Sequence, residues 1–244
     1  DSGATDSFNT AQITTGGGLS PQSATNWNIG AIYQGDNFTG SVDFWTYEFD
    51  DLIGAGEAFG SIVSGECVNG VYVPDARVGR NGTGQIRQVT TSFINLGGVE
   101  ANGIDISASY AFDDVLSGQL ILDAKATFEN TFDIDAGDGS AVFDGAGNRN
   151  SFIDLLGSVP DQRLNLSVSW MRDSHLAGLY LRHIGSYEDR EPNKENDAID
   201  ANTVLDLQYG YTFDGLLGTG STSVTLGVNN VTNEDPPEID RGSV

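Results

Sequence analysis

The sequence predicts an all-β fold, an antiparallel up-and-down sheet forming the wall of a transmembrane β-barrel. Apolar and polar residues alternate along most of the chain, the period of strands whose two faces meet different surroundings. Several alternating runs reach about 10 residues or more, against about 5–6 for soluble strands and the about 9–11 that cross a membrane. Their connections alternate between short and long, as they do in outer-membrane barrels.

The elements follow in order. Asn26 to Gln34 sets Trp27, Ile29, Ala31 and Tyr33 against Asn28, Gly30 and Gln34. A Gly35–Asn37 turn leads into a strand from Phe38 to Phe49. A long third strand is expected from about Gln88 to Phe112, with Ile104, Ile106, Ala108, Tyr110 and Phe112 opposite Asp105, Ser107 and Ser109. Past a turn at Asp113–Ser117, Leu120, Leu122, Ala124, Ala126 and Phe128 oppose Gln119, Asp123, Lys125, Thr127 and Glu129. From Arg163 to Trp170, Leu164, Leu166, Val168 and Trp170 oppose Arg163, Asn165, Ser167 and Ser169. Leu179 and Leu181 then oppose Tyr180 and Arg182. Leu205, Leu207, Tyr209, Tyr211 and Phe213 oppose Asp206, Gln208 and Gly210, and Ser221 to Val231 completes eight strands.

Short connections fall at Gly35–Asn37, Asp113–Ser117, Arg172–His175 and Asp214–Gly218; long ones fall at about Leu52–Ile86, Asp133–Pro160 and Tyr187–Ala201. Phe44, Trp45, Tyr47, Tyr110, Phe112, Trp170, Tyr211 and Phe213 cluster near strand ends, where interfacial aromatic girdles are expected. With the long loops outside, the last strand ends at the outer surface, and one more would be needed to return the chain inward. An open sheet leaves two unpaired edges in hydrocarbon, so the chain is expected to be part of a larger barrel. The start at Asp1 and the single Met fit a mature chain or a fragment.

Hydrophobic content is 38% and mean hydropathy −0.23, and no stretch approaches the about 18 continuous apolar residues of a membrane helix, which leaves strands that are apolar on one side only. A net charge of −24, from 35 acidic and 11 basic residues, argues against nucleic acid as a partner. Such charge serves solubility or a saline habitat, or an outer face that attracts cationic ligands. Cys67 is the sole cysteine and allows no internal disulfide.

Four segments carry a family resemblance. They are Leu19-Ser-Pro-Gln-Ser-Ala-Thr-Asn-Trp-Asn-Ile-Gly30, Val42-Asp-Phe-Trp-Thr-Tyr-Glu-Phe-Asp-Asp-Leu-Ile53, Asn95-Leu-Gly-Gly-Val-Glu-Ala-Asn-Gly-Ile-Asp105 and Val224-Thr-Leu-Gly-Val-Asn-Asn-Val-Thr-Asn-Glu-Asp-Pro-Pro237. In order and spacing they resemble the C-terminal barrel strands of TonB-dependent outer-membrane receptors, with Gln22 where that family usually has Glu. The resemblance implies about the last third of a 22-stranded barrel, in which residues 1–244 form a partial barrel domain lacking the plug and the final strand. It further implies a Gram-negative outer-membrane location with long loops extracellular. The implied activity is uptake of a scarce nutrient of the siderophore, cobalamin or oligosaccharide class. The implied partners are that nutrient, the plug, outer-membrane lipid, and TonB through an N-terminal region outside the chain. The rival is a soluble extracellular β-sandwich or adhesin-like module with Leu120, Leu122, Phe128, Leu164 and Leu166 in a dry core.

No catalytic set, cofactor site or metal site is expected. The residues His175 and His183 lie near opposite ends of one hairpin arm, and no Ser/His/Asp or Cys/His spacing is recognisable. Asp133–Gly139 misses the calcium-loop template and reads as a solvated acidic loop, although calcium in a surface loop stays open. Gly79–Gly84 reads as flexible loop and Glu188–Asp197 as a hydrated charge run. The candidate ligand contacts are Phe143 and Tyr187 in the long loops and Arg163 and Arg182 on the polar face. For the two arginines the alternative is ion pairing with Asp105, Asp123, Glu129 or the plug.

Overall fold

A computed structural model describes residues 10–14, 18–56, 59–95, 97–135, 137, 142–149, 157–189, 197–215, 218 and 220–237. The chain divides into two compact units, one from Asp1–Ala24, Phe49–Val99 and Asp135–Ala141, the other from Thr25–Glu48, Glu100–Ile134 and Val142–Val244.

Most of the second unit is one sheet. Its main strands are β1 (Ser23–Gln34), β2 (Phe38–Asp50), β3 (Val99–Val115), β4 (Gly118–Ile134), β5 (Gln162–Arg172), β6 (His175–Ile184), β7 (Asn202–Asp214) and β8 (Ser221–Val228). They pair in chain order from β1 to β8, and Phe143–Asp144 adds a short ninth strand against β4. The sheet is open, with β1 and β8 at its two edges.

Cross-strand register makes one face continuously apolar. Leu122 stands opposite Val168, Val168 opposite Leu179, Leu179 opposite Leu207, and Leu207 opposite Val228. The neighbouring row runs Leu120, Trp170, Ala177, Tyr209 and Leu226. Directly paired residues share a face, so five strands contribute to each row. These side chains are not a dry core. Leu122 is 37% exposed, Phe128 39%, Leu207 41% and Leu226 70%, which is the opposite of what a soluble sandwich requires. The run from Leu120 to Phe128 covers about 27 Å along the strand at ~3.4 Å per residue. Such a stripe fits the about 25 Å apolar band of a membrane wall.

At the short-turn end this face carries aromatic rings in chains of contact. Tyr33, Phe38 and Tyr110 follow at centroid separations of 5.9 and 6.4 Å, and Tyr110 meets Phe112 at 4.3 Å. His175 packs edge-on to Tyr211 at 4.7 Å, and Tyr211 meets Phe213 at 4.6 Å. Tyr rings, with an apolar body and a polar hydroxyl, favour the headgroup level of a bilayer, and Phe rings extend the aromatic band beside them.

The turns are tighter than the sequence implies. β3 runs through to Val115, so only Leu116 and Ser117 turn, both left-handed at φ 52° and 61°. Asp173 and Ser174 make the next turn, with Asp173 at φ 48°. Positive φ at both turn residues matches the twist of antiparallel strands, usually at the cost of needing Asn or Gly there.

The expected strand from Gln88 to Phe112 is two strands. Ile86–Asn95 belongs to another sheet, and β3 begins at Val99. Gly97 and Gly98 separate them, the Gly97 carbonyl accepting from the Leu52 N–H (3.3 Å) and the Gly98 carbonyl from the Asp135 N–H (2.9 Å). A Cβ on Gly98 would come within 2.5 Å of the Phe49 carbonyl oxygen, so the chain changes sheets where only glycine fits.

The first unit is built around Ile86–Asn95, which pairs in parallel with Thr10–Thr14 and antiparallel with Val78–Arg80 and Ile53–Ala55. A short helix, Phe59–Gly65, places Ile62 against Val78, Ile86 and Val89 in a closed core. Neither the helix nor the parallel strand was visible as periodicity. Gly79–Gly84 is not a flexible loop: Gly79 and Arg80 end a strand, and the Asn81 side chain accepts from the Thr83 and Gln85 N–H groups to close the hairpin. Glu66 is buried beside that core, bonded to the Arg80 guanidinium, the Tyr72 hydroxyl (3.2 Å) and the Asp75 N–H (3.1 Å).

Candidate functional site

The wall's second face carries the chemistry. Thr127 stands opposite Arg163, Lys125 opposite Asn165, and Asp123 opposite Ser167. The rows continue across β6 and β7, with Asn165 opposite Arg182 and Ser167 opposite Tyr180, itself opposite Asp206. Thr127 also donates its hydroxyl to Asp105 on β3 at 2.6 Å, tying the first row to the neighbouring strand. All of these positions lie on the face opposite Leu122 and Val168 because strand side chains alternate.

Two depressions open on this polar face. One, of ≈ 400 Å³, is lined by Asp123, Lys125, Asn165, Ser167, Tyr180, Arg182 and Asp206 together with Leu166 and Leu181. Inside it Arg182 donates to Asp206 at 2.8 Å, and Asp206 also accepts the Asn230 N–H at 2.8 Å. The other, of ≈ 330 Å³, is lined by Asn26, Trp27, Asn28, Asp43, Trp45, Tyr47 and Asp105. Trp45 and Tyr47 therefore do not belong to an interfacial girdle: they face the polar side, while Phe44 faces the apolar side against Trp27 at 5.5 Å. The alternation Asp43, Trp45, Tyr47 was the available signal, hidden because two large aromatics occupy the polar register. An apolar groove of ≈ 470 Å³ on the other face, lined by residues including Val168, Leu179 and Leu207, offers almost no polar group to orient a ligand.

The predicted contact residues separate. Arg182 sits within the larger depression, paired with Asp206 rather than with Asp105, Asp123 or Glu129. Arg163 lies one row toward the long connections and acts electrostatically on Glu129. Phe143 is in the short strand against Asp133 and Ile134. Tyr187 begins a strand, Tyr187–Asp189, which pairs in parallel with Asn148–Arg149 and antiparallel with Asp197–Ile199. The two later long connections thus share one four-stranded sheet that also includes Ser158–Val159. Glu188–Asp197 is not simply a hydrated run there: Asp189 is 6% exposed and accepts from Arg149 at 2.7 Å. Residues 190–196 lie outside the described ones, as do positions 136, 138 and 139 of the acidic Asp133–Gly139 segment.

The histidines end the apolar face. His175 Nδ1 is 2.6 Å from the Tyr209 hydroxyl and His183 Nδ1 is 2.8 Å from the Thr203 hydroxyl. Among the described residues no group of His, Cys, Asp and Glu is arranged to hold a metal ion, and Cys67 is an exposed thiol.

Known proteins share this architecture. Residues 2–231 match the family described as TonB dependent receptor-like, beta-barrel. A comparison with curated protein sequences finds no match. Among solved structures, the FrpB iron transporter from Neisseria meningitidis (F3-3 variant) superposes with a TM-score of 0.60 at 17% identity, covering 92% of this chain and 29% of that one. The G324V mutant of the ferric enterobactin receptor PfeA from Pseudomonas aeruginosa gives 0.59 at 14% identity, covering 88% and 26%. The siderophore receptor PirA from Acinetobacter baumannii gives 0.59 at 14%, covering 92% and 32%. The chain thus spans between a quarter and a third of each of these receptors. With an open eight-strand path, one apolar and one polar face, and a family match over nearly its whole length, the chain belongs to the TonB-dependent receptor-like β-barrel family.

Proposed function

We propose that the chain is part of an outer-membrane receptor that takes up a scarce nutrient with energy delivered through TonB. The carrying observation is the continuous, solvent-exposed apolar face from β4 to β8 backed by a polar face, the arrangement that a lipid-facing, lumen-lining wall requires. The remaining strands of a closed barrel, the plug and the TonB-contacting segment would come from the rest of the receptor. The short turns face the periplasm and the long connections face outward. Nutrient is held between the polar face and those connections, contacted by Arg163 and Arg182 from the wall and by Phe143 and Tyr187 from the loops. The solved relatives carry ferric enterobactin, iron or a siderophore by their names, and at 14–17% identity they lend this chain their fold alone. The protein carries out no covalent chemistry on its ligand.

The test uses the whole receptor in its source cells. A polypeptide several times heavier than 25.8 kDa, confined to the outer-membrane fraction, is expected, together with nutrient uptake that stops when the proton gradient is collapsed. A species of 25.8 kDa in a soluble fraction would overturn the proposal.

A further inference from the structure

The smaller polar depression has a composition of its own. Asn26, Asn28, Asp43, Trp45, Tyr47 and Asp105 bring two carboxamides, two carboxylates and two aromatic rings together, with no cationic side chain among them. Asn26, Asn28, Trp45, Tyr47 and Asp105 sit in the halves of their strands away from the short turns, and Asp43 lies one residue short of the middle of β2. Their placement depends on bare backbone beneath them. A Cβ at Gly30 would lie 2.7 Å from the Asp43 carboxyl carbon, and one at Gly103 would lie 2.9 Å from Cε2 of Trp45. Any larger residue at either position would displace the carboxylate or the indole. Trp45 and Tyr47 meet at 5.6 Å with their planes inclined by 57°, an angled pair of rings.

Much of the hydrogen-bonding capacity here is not used by the protein. Among the described residues, the side chains of Asn26, Asn28 and Asp43 and the Trp45 indole N–H bond to no other group, while the Asp105 carboxylate accepts only from Thr127. Carboxamides both donate and accept, carboxylates accept, and the indole donates. An anionic ligand would meet two carboxylates and no compensating cation. An extended cationic ligand would be drawn to those carboxylates but then run along the same face into Arg163, Lys125 and Arg182. A ligand without charge and rich in hydroxyls suits both depressions: its hydroxyls reach carboxylates and carboxamides, and its C–H faces lie on aromatic rings.

Resting on the reading of this polar face as the lining of a transport lumen, we propose that Asn26, Asn28, Asp43, Trp45, Tyr47 and Asp105 form a subsite for a neutral carbohydrate. Trp45 is the stacking platform and Asp43 and Asp105 orient ring hydroxyls. Oligosaccharide length extends from there along the row through Thr127 and Arg163 toward the Arg182–Asp206 pair.

The test uses the whole receptor purified from outer membranes, titrated calorimetrically with maltohexaose, cellohexaose and xylohexaose, and with ferric tris-catecholate and choline. At least one hexaose is expected to bind, with an affinity unchanged by salt between roughly 0.05 and 0.5 M, as for an uncharged ligand. Trp45→Ala is expected to weaken that binding at least about tenfold. Trp45→Phe should retain most of it, and Ile29→Ala, on the apolar face and outside the lining of the depression, should leave it unchanged. Binding of none of the hexaoses, Trp45-dependent binding of catecholate or choline instead, or unaltered hexaose affinity in Trp45→Ala would each overturn the carbohydrate subsite. Heat-modifiable gel mobility of every variant reports that its barrel has formed. If the wild-type receptor itself were absent from the outer membrane, the transport reading would fail with it; a membrane-inserted receptor that ignores sugars sinks the subsite alone.

Discussion

In the first unit Val89 is fully buried and Ile62 is 1% exposed, whereas the wall residues Leu122 and Leu207 stay 37% and 41% exposed despite an equally regular apolar pattern. The first unit folds a helix and a hairpin together and so removes Ile62, Val78, Ile86 and Val89 from solvent by itself. The wall cannot do so, because its eight strands form a single path with nothing from the same unit covering the Leu122 row among the described residues. Its apolar face is stable only where the surroundings are themselves apolar, as in a bilayer. The same alternation therefore serves two solvents, and only the presence or absence of a covering layer tells them apart.

Four changes sharpen that contrast. Ile62→Ala should cost the first unit about 2–5 kcal/mol, since a large side chain leaves a closed core. Limited proteolysis of the whole receptor should then cut within 59–95 while the wall strands stay protected; cleavage throughout would show that the two regions fold as one. Leu122→Arg should cost about 2–4 kcal/mol near the middle of the apolar band and lower the yield of heat-modifiable barrel in the outer membrane. Wild-type assembly of that variant would mean the Leu122 face does not meet lipid.

The third change uses pH. Burial opposes the charge on Glu66, but the Arg80 guanidinium, the Asp75 N–H and the Tyr72 hydroxyl outweigh it and hold the carboxyl below its ordinary 4.5. Asp75 is likewise held down to about 2, chiefly by Arg77. A carboxylate with a depressed folded value stabilises at pH above its unfolded value, and that contribution is lost as pH falls through the folded one. The first unit should therefore loosen on acidification below about 4.5. Glu66→Gln should cost about 1–2 kcal/mol at neutral pH and flatten the acid response, read by hydrogen exchange of its strand amides. An equally steep acid response in Glu66→Gln would remove Glu66 from that role.

The smallest effect belongs to the two-residue turn. Leu116 and Ser117 both hold left-handed backbone, and Leu116 is 78% exposed, so Leu116→Asn with Ser117→Gly should relieve strain without losing packing. A gain of about 0.5–1 kcal/mol is expected, seen as a higher melting temperature of the detergent-solubilised receptor. A lower melting temperature would mean that the Leu116 side chain contributes contacts outside this chain.

The strands of the wall were legible because alternation is a local property. Leu120 to Phe128 and Leu164 to Trp170 could be placed on one face before any partner was known, and the histidines could be set at the two ends of their strand. The candidate site was less legible. Arg182 belongs to a depression, but its partner is Asp206, which is 24 residues away and brought alongside by the β6–β7 register. Residue type alone points Trp45 and Tyr47 to a girdle, whereas their position in the alternation puts them with Asp43.

By itself the sequence determined which segments extend, which face each side chain takes and where the chain turns sharply, since each depends only on neighbours a few residues away. Tertiary structure alone decided that Gln88 to Phe112 divides at Gly97 and Gly98, that Thr10–Thr14 lies parallel to Gln88–Ser92, and that Arg149 finds Asp189. Those outcomes join residues separated by long connections. Their pairing is selected by backbone clearance, burial and charge once the chain has closed on itself, and a period of two residues carries no information about any of them.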